Sequence, residues 1–166
     1  MSRLVLVGLP GAGKSSVARA LADHWTCSWV DTDDLIVEET ASAPADVLRE
    51  RGEPVFRDLE AAALERALRT DAVVATGGGV VERERSREML KKIPTIWLDC
   101  SDEVILGRLG AGDRPLMAHD APQTLKRLRA TRERWYREVS LARVESSGTL
   151  EDVIGLIEAA LTRARS

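Results

Sequence analysis

The run Leu4-Val-Leu-Val-Gly8-Leu-Pro-Gly11-Ala-Gly13-Lys14-Ser15 decides the fold. Four apolar residues, two of them β-branched, read as a buried strand, and a glycine loop then opens directly into an amphipathic pattern over Lys14–Trp25. Gly8 to Ser15 satisfies G-x-x-x-x-G-K-[ST] in the strand–loop–helix context that gives this pattern its meaning. Glycines let the backbone wrap closely around phosphates. Successive N–H groups form an anion nest, and the dipole of the following helix favours negative charge at its start. Nucleoside triphosphate binding is expected at Gly8, Gly11, Ala12, Gly13, Lys14, Ser15 and Ser16, with Lys14 on the β- and γ-phosphates and the Ser15 hydroxyl on Mg²⁺.

Outward from this loop, short apolar runs bounded by turn residues recur at 27–31, 71–76, 93–98 and roughly 141–145. Helical patterns lie between them at 45–51, 55–69, 83–91, 102–109, 124–138 and 150–163. Strands alternating with helices predict an α/β fold: a parallel sheet with helices on both faces, and ligands at the carboxyl ends of the strands.

The 166 residues suit a single domain. Hydrophobic residues make up 44%, enough for a core without disulfide or metal, and the 24 basic against 27 acidic residues leave a net charge of −3. That balance lacks the basic footprint of a nucleic-acid binder. Cys27 and Cys100 stand alone, without the spacing of a zinc or redox motif, and read as buried free thiols in a reducing compartment. Leu4–Val7 is too short for a secretory core or a membrane span, so a cytoplasmic protein without a membrane partner is expected. No heptad seam stands out, which makes a monomer the default.

The acceptor side must come from other residues. Asp31-Thr32-Asp33 follows the second strand, and in extended chain positions i and i+2 project to one side, so both carboxylates are expected beside the phosphate loop. One would support the Mg²⁺ shell and the other orient an acceptor hydroxyl. Alternatively, Asp33 or Asp34 caps the following helix. Arg57 and Glu60 are spaced for an i, i+3 pair, although an ordinary solvated helix face fits them equally. Thr76-Gly77-Gly78-Gly79 follows the third strand, and three consecutive glycines point to close approach of backbone and ligand. The glycines of 107–112 with Arg108 and Arg114 suggest a lid over 109–122, or else a plain flexible loop. Arg132 and Tyr136 are spaced i, i+4, and Arg132 reads as an anion ligand or as surface charge.

The phosphate loop, Asp31-Thr-Asp33, Phe56-Arg57 with Glu60, Gly77-Gly-Gly79, Arg114-Pro115 and Arg132 with Tyr136 occur in an order that resembles the shikimate kinase family over most of the chain. The resemblance implies that family's five-stranded parallel sheet in a three-layer P-loop fold, one kinase domain over 1–166 with a substrate-binding region near 32–60 and a lid. It implies transfer of the ATP γ-phosphate to the 3-hydroxyl of shikimate, with ATP and a small anionic polyol as partners and Mg²⁺ as cofactor. Carried over by position, Lys14, Asp33 and Arg114 are catalytic. Arg108 and Arg114 join the nucleotide site. Arg57, Gly77, Gly78, Gly79 and Arg132 join Asp33 at the acceptor, and Asp31 supports the metal through water. The chain departs from the family at Thr40–Leu48, where Pro44 replaces an apolar residue of the ring pocket, at Met117 after Arg114-Pro-Leu, and at Ser16. A kinase for an amino analogue of shikimate, a gluconate kinase and a non-catalytic ATP-binding regulator are the competing readings.

Overall fold

A computed structural model describes residues 1–110 and 120–166. Five parallel strands form one sheet in the order β2-β3-β1-β4-β5: β1 (Leu4–Val7), β2 (Ser28–Asp31), β3 (Ala72–Ala75), β4 (Thr95–Asp99) and β5 (Ala142–Glu145). The helices are α1 (Lys14–Trp25), α2 (Thr32–Thr40), α3 (Pro44–Arg51), α4 (Glu53–Leu68), α5 (Glu84–Leu90), α6 (Asp102–Leu109), α7 (Ala121–Val139) and α8 (Leu150–Arg165).

The two-residue alternation of β1 divides the core. Leu4 and Leu6 pack with Val17 and Leu21 of α1 and with Val153 and Ile157 of α8 on one face. Val5 and Val7 pack on the other with Leu64 of α4, Leu90 of α5, Ile105 of α6 and Tyr136 of α7. All four β1 residues are fully buried. Central strands of a parallel sheet, covered on both faces, read as continuous apolar runs for this reason, and each such side chain contributes about 1.5–3 kcal/mol. A third, smaller cluster of Ile36, Val47, Phe56 and Ala63 holds α2, α3 and α4 together beside the sheet.

From β1 the chain runs through α1 to β2 at one edge, whereas from β3 it runs through α5 on the opposite face to β4. Neighbouring strands whose connections depart in opposite directions leave a crevice at their carboxyl ends. The phosphate loop and the glycine triplet stand on its two sides.

The structure bears out every expected strand and places them within two residues of the expected limits. It corrects three expectations. Residues 32–40 form α2, so Asp33 lies in a helix and does not extend the strand. The helix expected at 55 starts at Glu53, with Pro54 in its first turn. Cys100 is buried, but Cys27 is only partly so. The lid expectation falls largely on residues 111–119, which lie outside the described residues.

Candidate active site

The phosphate loop is built by close backbone contacts. A Cβ on Gly8 would overlap the carbonyl of Leu98 in β4, and one on Gly11 would press on Ile105 and Leu109 of α6 at 3.1–3.3 Å. Lys14, buried at the start of α1, donates to the carbonyls of Gly8 at 2.7 Å and Leu9 at 2.8 Å, folding the loop around its own ammonium. Ser15 Oγ donates to Asp31 Oδ2 at 2.5 Å. The other Asp31 oxygen accepts from the Asp33 amide at 2.9 Å, which makes Asp31 the cap of α2. The helix cap is therefore Asp31, and neither Asp33 nor Asp34 serves in that role. Arg108 donates to the Gly11 carbonyl at 3.2 Å and the Ser146 carbonyl at 2.6 Å, tying α6 to the loop and to the end of β5.

A cavity of about 670 Å³ opens from this loop, within the range of small-molecule sites. Gly11, Gly13, Lys14, Ser15 and Ser16 line it on one side; Arg57, Glu60, Gly77, Gly78, Gly79 and Arg132 line the other, with Asp31 and Asp33 between. Gly8, Ala12 and Arg108 do not line it; the Ala12 methyl packs in the core under α1 and α8. Arg114 lies outside the described residues.

The glycines of the triplet make room for charged side chains and, at Gly78, for the Pro10 ring as well. A Cβ on Gly77 would meet Glu60 Oε2 at 2.6 Å and Asp33 Oδ1 at 3.2 Å. On Gly78 it would meet the Pro10 ring at 2.8 Å and Arg132 Nη1 at 3.1 Å, and on Gly79 it would overlap the guanidinium of Arg57. The triplet is fixed from behind as well. The Gly77 amide donates to the buried Thr32 hydroxyl at 3.1 Å, and the Tyr136 hydroxyl donates to the Gly78 carbonyl at 2.5 Å.

Arg57 donates to Glu60 Oε1 at 2.8 Å, so the i, i+3 pair forms, and it forms inside the site. Burial pushes the Glu60 carboxyl above the ordinary glutamate range, although the adjacent Arg57 pulls it down. Burial alone would lower Arg57, but Glu60 and Glu82 hold the guanidinium above its ordinary value. Burial also raises Asp34, with Asp31 adding to the effect, and drives the Tyr136 phenol up, so that it remains a neutral donor.

Reading the sequence missed Glu60 as a buried acid, and missed Thr32 and Glu82. Only the spacing of Glu60 to Arg57 gave any signal for these three. Asp31 and Asp33 share the cavity for a different reason from the expected pleat, since residues two apart are separated by about 200° around a helix. Asp31 ends the strand and faces Ser15, whereas Asp33, on the first turn of α2, faces Gly77. Pro44 lines the cavity as expected, at the first turn of α3.

Mg²⁺ is a hard ion that typically takes one or two protein oxygens plus phosphates and water. Ser15 and Asp31 present a hydroxyl and a carboxylate side by side at the phosphate loop, a donor set that fits it. No cluster of three His, Cys, Asp or Glu side chains suited to a metal occurs among the described residues.

The family profile "Shikimate kinase" matches residues 10–161. A shikimate kinase of Corynebacterium efficiens is 42% identical over 146 residues, covering 87% of this chain and 86% of its own. One from Rhodococcus jostii is 38% identical over 149 residues, covering 88% and 89%. Among solved structures, shikimate kinase from Acinetobacter baumannii in complex with shikimate superposes with a TM-score of 0.90 at 31% identity, covering 96% of this chain and 92% of that one. With a phosphate loop and two arginines lining one cavity, and relatives this similar over nearly their full length, the chain belongs to the shikimate kinase family of ATP-dependent kinases.

Proposed function

We propose that this cavity transfers the γ-phosphate of ATP to the 3-hydroxyl of shikimate, with the roles divided as follows. The nest of Gly8–Ser16 binds the triphosphate, and Lys14 moves from the loop carbonyls to the β- and γ-phosphates. Ser15 would hold Mg²⁺ directly and Asp31 through water. When bound, the ion neutralises charge on the β- and γ-oxygens. Arg108 flanks the nucleotide site from α6.

Arg57 and Arg132 take the acceptor carboxylate, a planar anion that guanidinium groups match with paired hydrogen bonds. Gly78 and Gly79 bring backbone N–H groups close to the ring. Asp33 accepts the proton of the 3-hydroxyl as its oxygen bonds to the γ-phosphorus, while the bond to the β–γ bridging oxygen breaks and ADP leaves. The transition state of phosphoryl transfer is loose, so positioning and charge stabilisation carry most of the rate, and Asp33 need not be a strong base. The chain is taken to act as a monomer in the cytoplasm, with no nucleic-acid or membrane partner. The balanced charge supports the first of these two exclusions, and no helix among the described residues is long and apolar enough to cross a membrane.

The observation that carries the assignment is the convergence of Arg57, Arg132 and Asp33 on the glycine triplet opposite the phosphate loop. Its test is Mg²⁺-dependent ADP release from ATP with shikimate, an amino analogue of shikimate, gluconate or no acceptor. Turnover with shikimate is expected. Because Pro44 lines the acceptor side, turnover on the analogue alone would keep the mechanism and change the substrate. Tight ATP binding without turnover on any of these acceptors would favour another acceptor or the regulator.

A further inference from the structure

Glu82 closes the short 3-10 turn Val80–Glu82 that follows the glycine triplet, and its amide donates back to the Gly79 carbonyl at 3.0 Å. One of its oxygens, Oε2, accepts from Arg132 Nη2 at 2.7 Å and Nε at 3.2 Å, and pairs with Arg57 Nη2 at 2.9 Å. The arginines come from α7 and α4, and this carboxylate contacts both, within the charge field of Glu60. The three side chains are 24%, 8% and 11% exposed, in the order Glu82, Arg132, Arg57, so solvent screens these pairs little. Both arginines line the cavity, whereas Glu82 does not.

We propose that Glu82 is a positioning residue for the acceptor: its carboxylate bridges Arg57 and Arg132 from behind and holds their cavity-facing edges convergent on the acceptor carboxylate. The inference rests on the assignment of those arginines to the acceptor. A guanidinium on a long, rotamer-rich stem loses binding energy to ordering when acceptor arrives, and a side chain already locked by a buried partner has less to lose. The 3-10 turn delivers that partner next to Gly79, whose missing Cβ leaves the space that Arg57 occupies. Backbone approach and guanidinium placement are thereby set by one segment, residues 77–82.

The test is steady-state kinetics of Glu82→Ala, Glu82→Gln and Arg132→Ala with shikimate and with its methyl ester, which lacks the carboxylate charge. Glu82→Ala is expected to raise the KM for shikimate about tenfold, the effect of about 1.4 kcal/mol, with kcat and the ATP KM within about twofold of wild type. Glu82→Gln keeps an oxygen acceptor and is expected to fall between. It also keeps the question answerable if the alanine variant does not fold. With the methyl ester, both Glu82 variants should differ little from wild type. An equal KM rise with acid and ester would mean a merely structural role and overturn the proposal. So would an unchanged or lowered shikimate KM in the Glu82 variants while Arg132→Ala raises it, a lowered value indicating that Glu82 competes with the acceptor. If Arg132→Ala itself spares the shikimate KM, the acceptor assignment fails first and the proposal falls with it.

Discussion

Arg57 lies so close over Gly79 that its guanidinium takes the space any Cβ would need. The pair explains the third of the three glycines that follow β3, a costly sequence for a simple turn. We predict that Gly79→Ala displaces Arg57 and lowers kcat/KM for shikimate at least about tenfold, with ATP KM nearly unchanged. Parallel titrations of the two substrates check it; a loss confined to ATP would place Gly79 on the nucleotide side.

The hydrogen bond from Ser15 to Asp31 joins α1 to the end of β2 where the metal is expected. Ser15→Ala is predicted to raise the Mg²⁺ concentration needed for half-maximal activity by about tenfold or more, and Asp31→Asn by less, since its role runs through water. Mg²⁺ titration at saturating ATP and shikimate gives the order. A larger effect at Asp31 would make it the direct ligand.

Asp33 lies against Gly77 beside Glu60 in the cavity. Asp33→Asn is expected to cut kcat severely, by about a hundredfold or more if it both orients the hydroxyl and takes its proton. ATP binding should survive, as equilibrium titration with a fluorescent nucleotide would show. Unchanged turnover would remove Asp33 from the chemistry.

Glu60 supplies the pH dependence. Burial raises its folded carboxyl above the unfolded value, so on acidification the folded protein takes up this proton first. The resulting stability is fully present below the unfolded value and is lost as pH rises through the folded one. Glu60→Gln lacks this linkage. The difference in Tm, wild type minus variant, should therefore become more positive as pH falls through the range above ordinary glutamates. Paired thermal melts across about pH 7 to 4 measure it. A difference moving the other way would mean that Arg57 outweighs burial.

Away from the cavity, Arg129 holds the ends of β4 and α6 together. It donates to both oxygens of Asp99 at 2.9 and 3.1 Å, to Asp102 at 2.8 Å and to the Cys100 carbonyl at 2.9 Å. Asp99 is buried and would be left with Arg143 alone. Arg129→Met should cost about 2–4 kcal/mol in urea unfolding, because it strands a buried charge. Arg69→Ala, which removes an exposed pair with Glu65, should cost less than about 1 kcal/mol.

The sheet and the phosphate loop follow from the sequence alone, as do Asp31, Asp33, Arg57 and Arg132 as residues of one cavity, but not Glu60 as a buried acid or Glu82. Those signals are local: a buried strand announces itself by an apolar run, and an anion nest by glycines at fixed offsets before a lysine. Reading Asp31 and Asp33 through the strand pleat put them in the right cavity for the wrong reason, because the Asp31 cap that starts α2 depends on a single side-chain bond. Tertiary packing, by contrast, sets which side chains lie against the glycine triplet and which of 20 arginines share a partner. Arg57 and Arg132 stand 75 positions apart and meet through Glu82, a residue marked by no motif. Such a cluster follows from where α4, α7 and the turn after β3 pack against the sheet, and long-range packing of that kind leaves no periodicity in the chain.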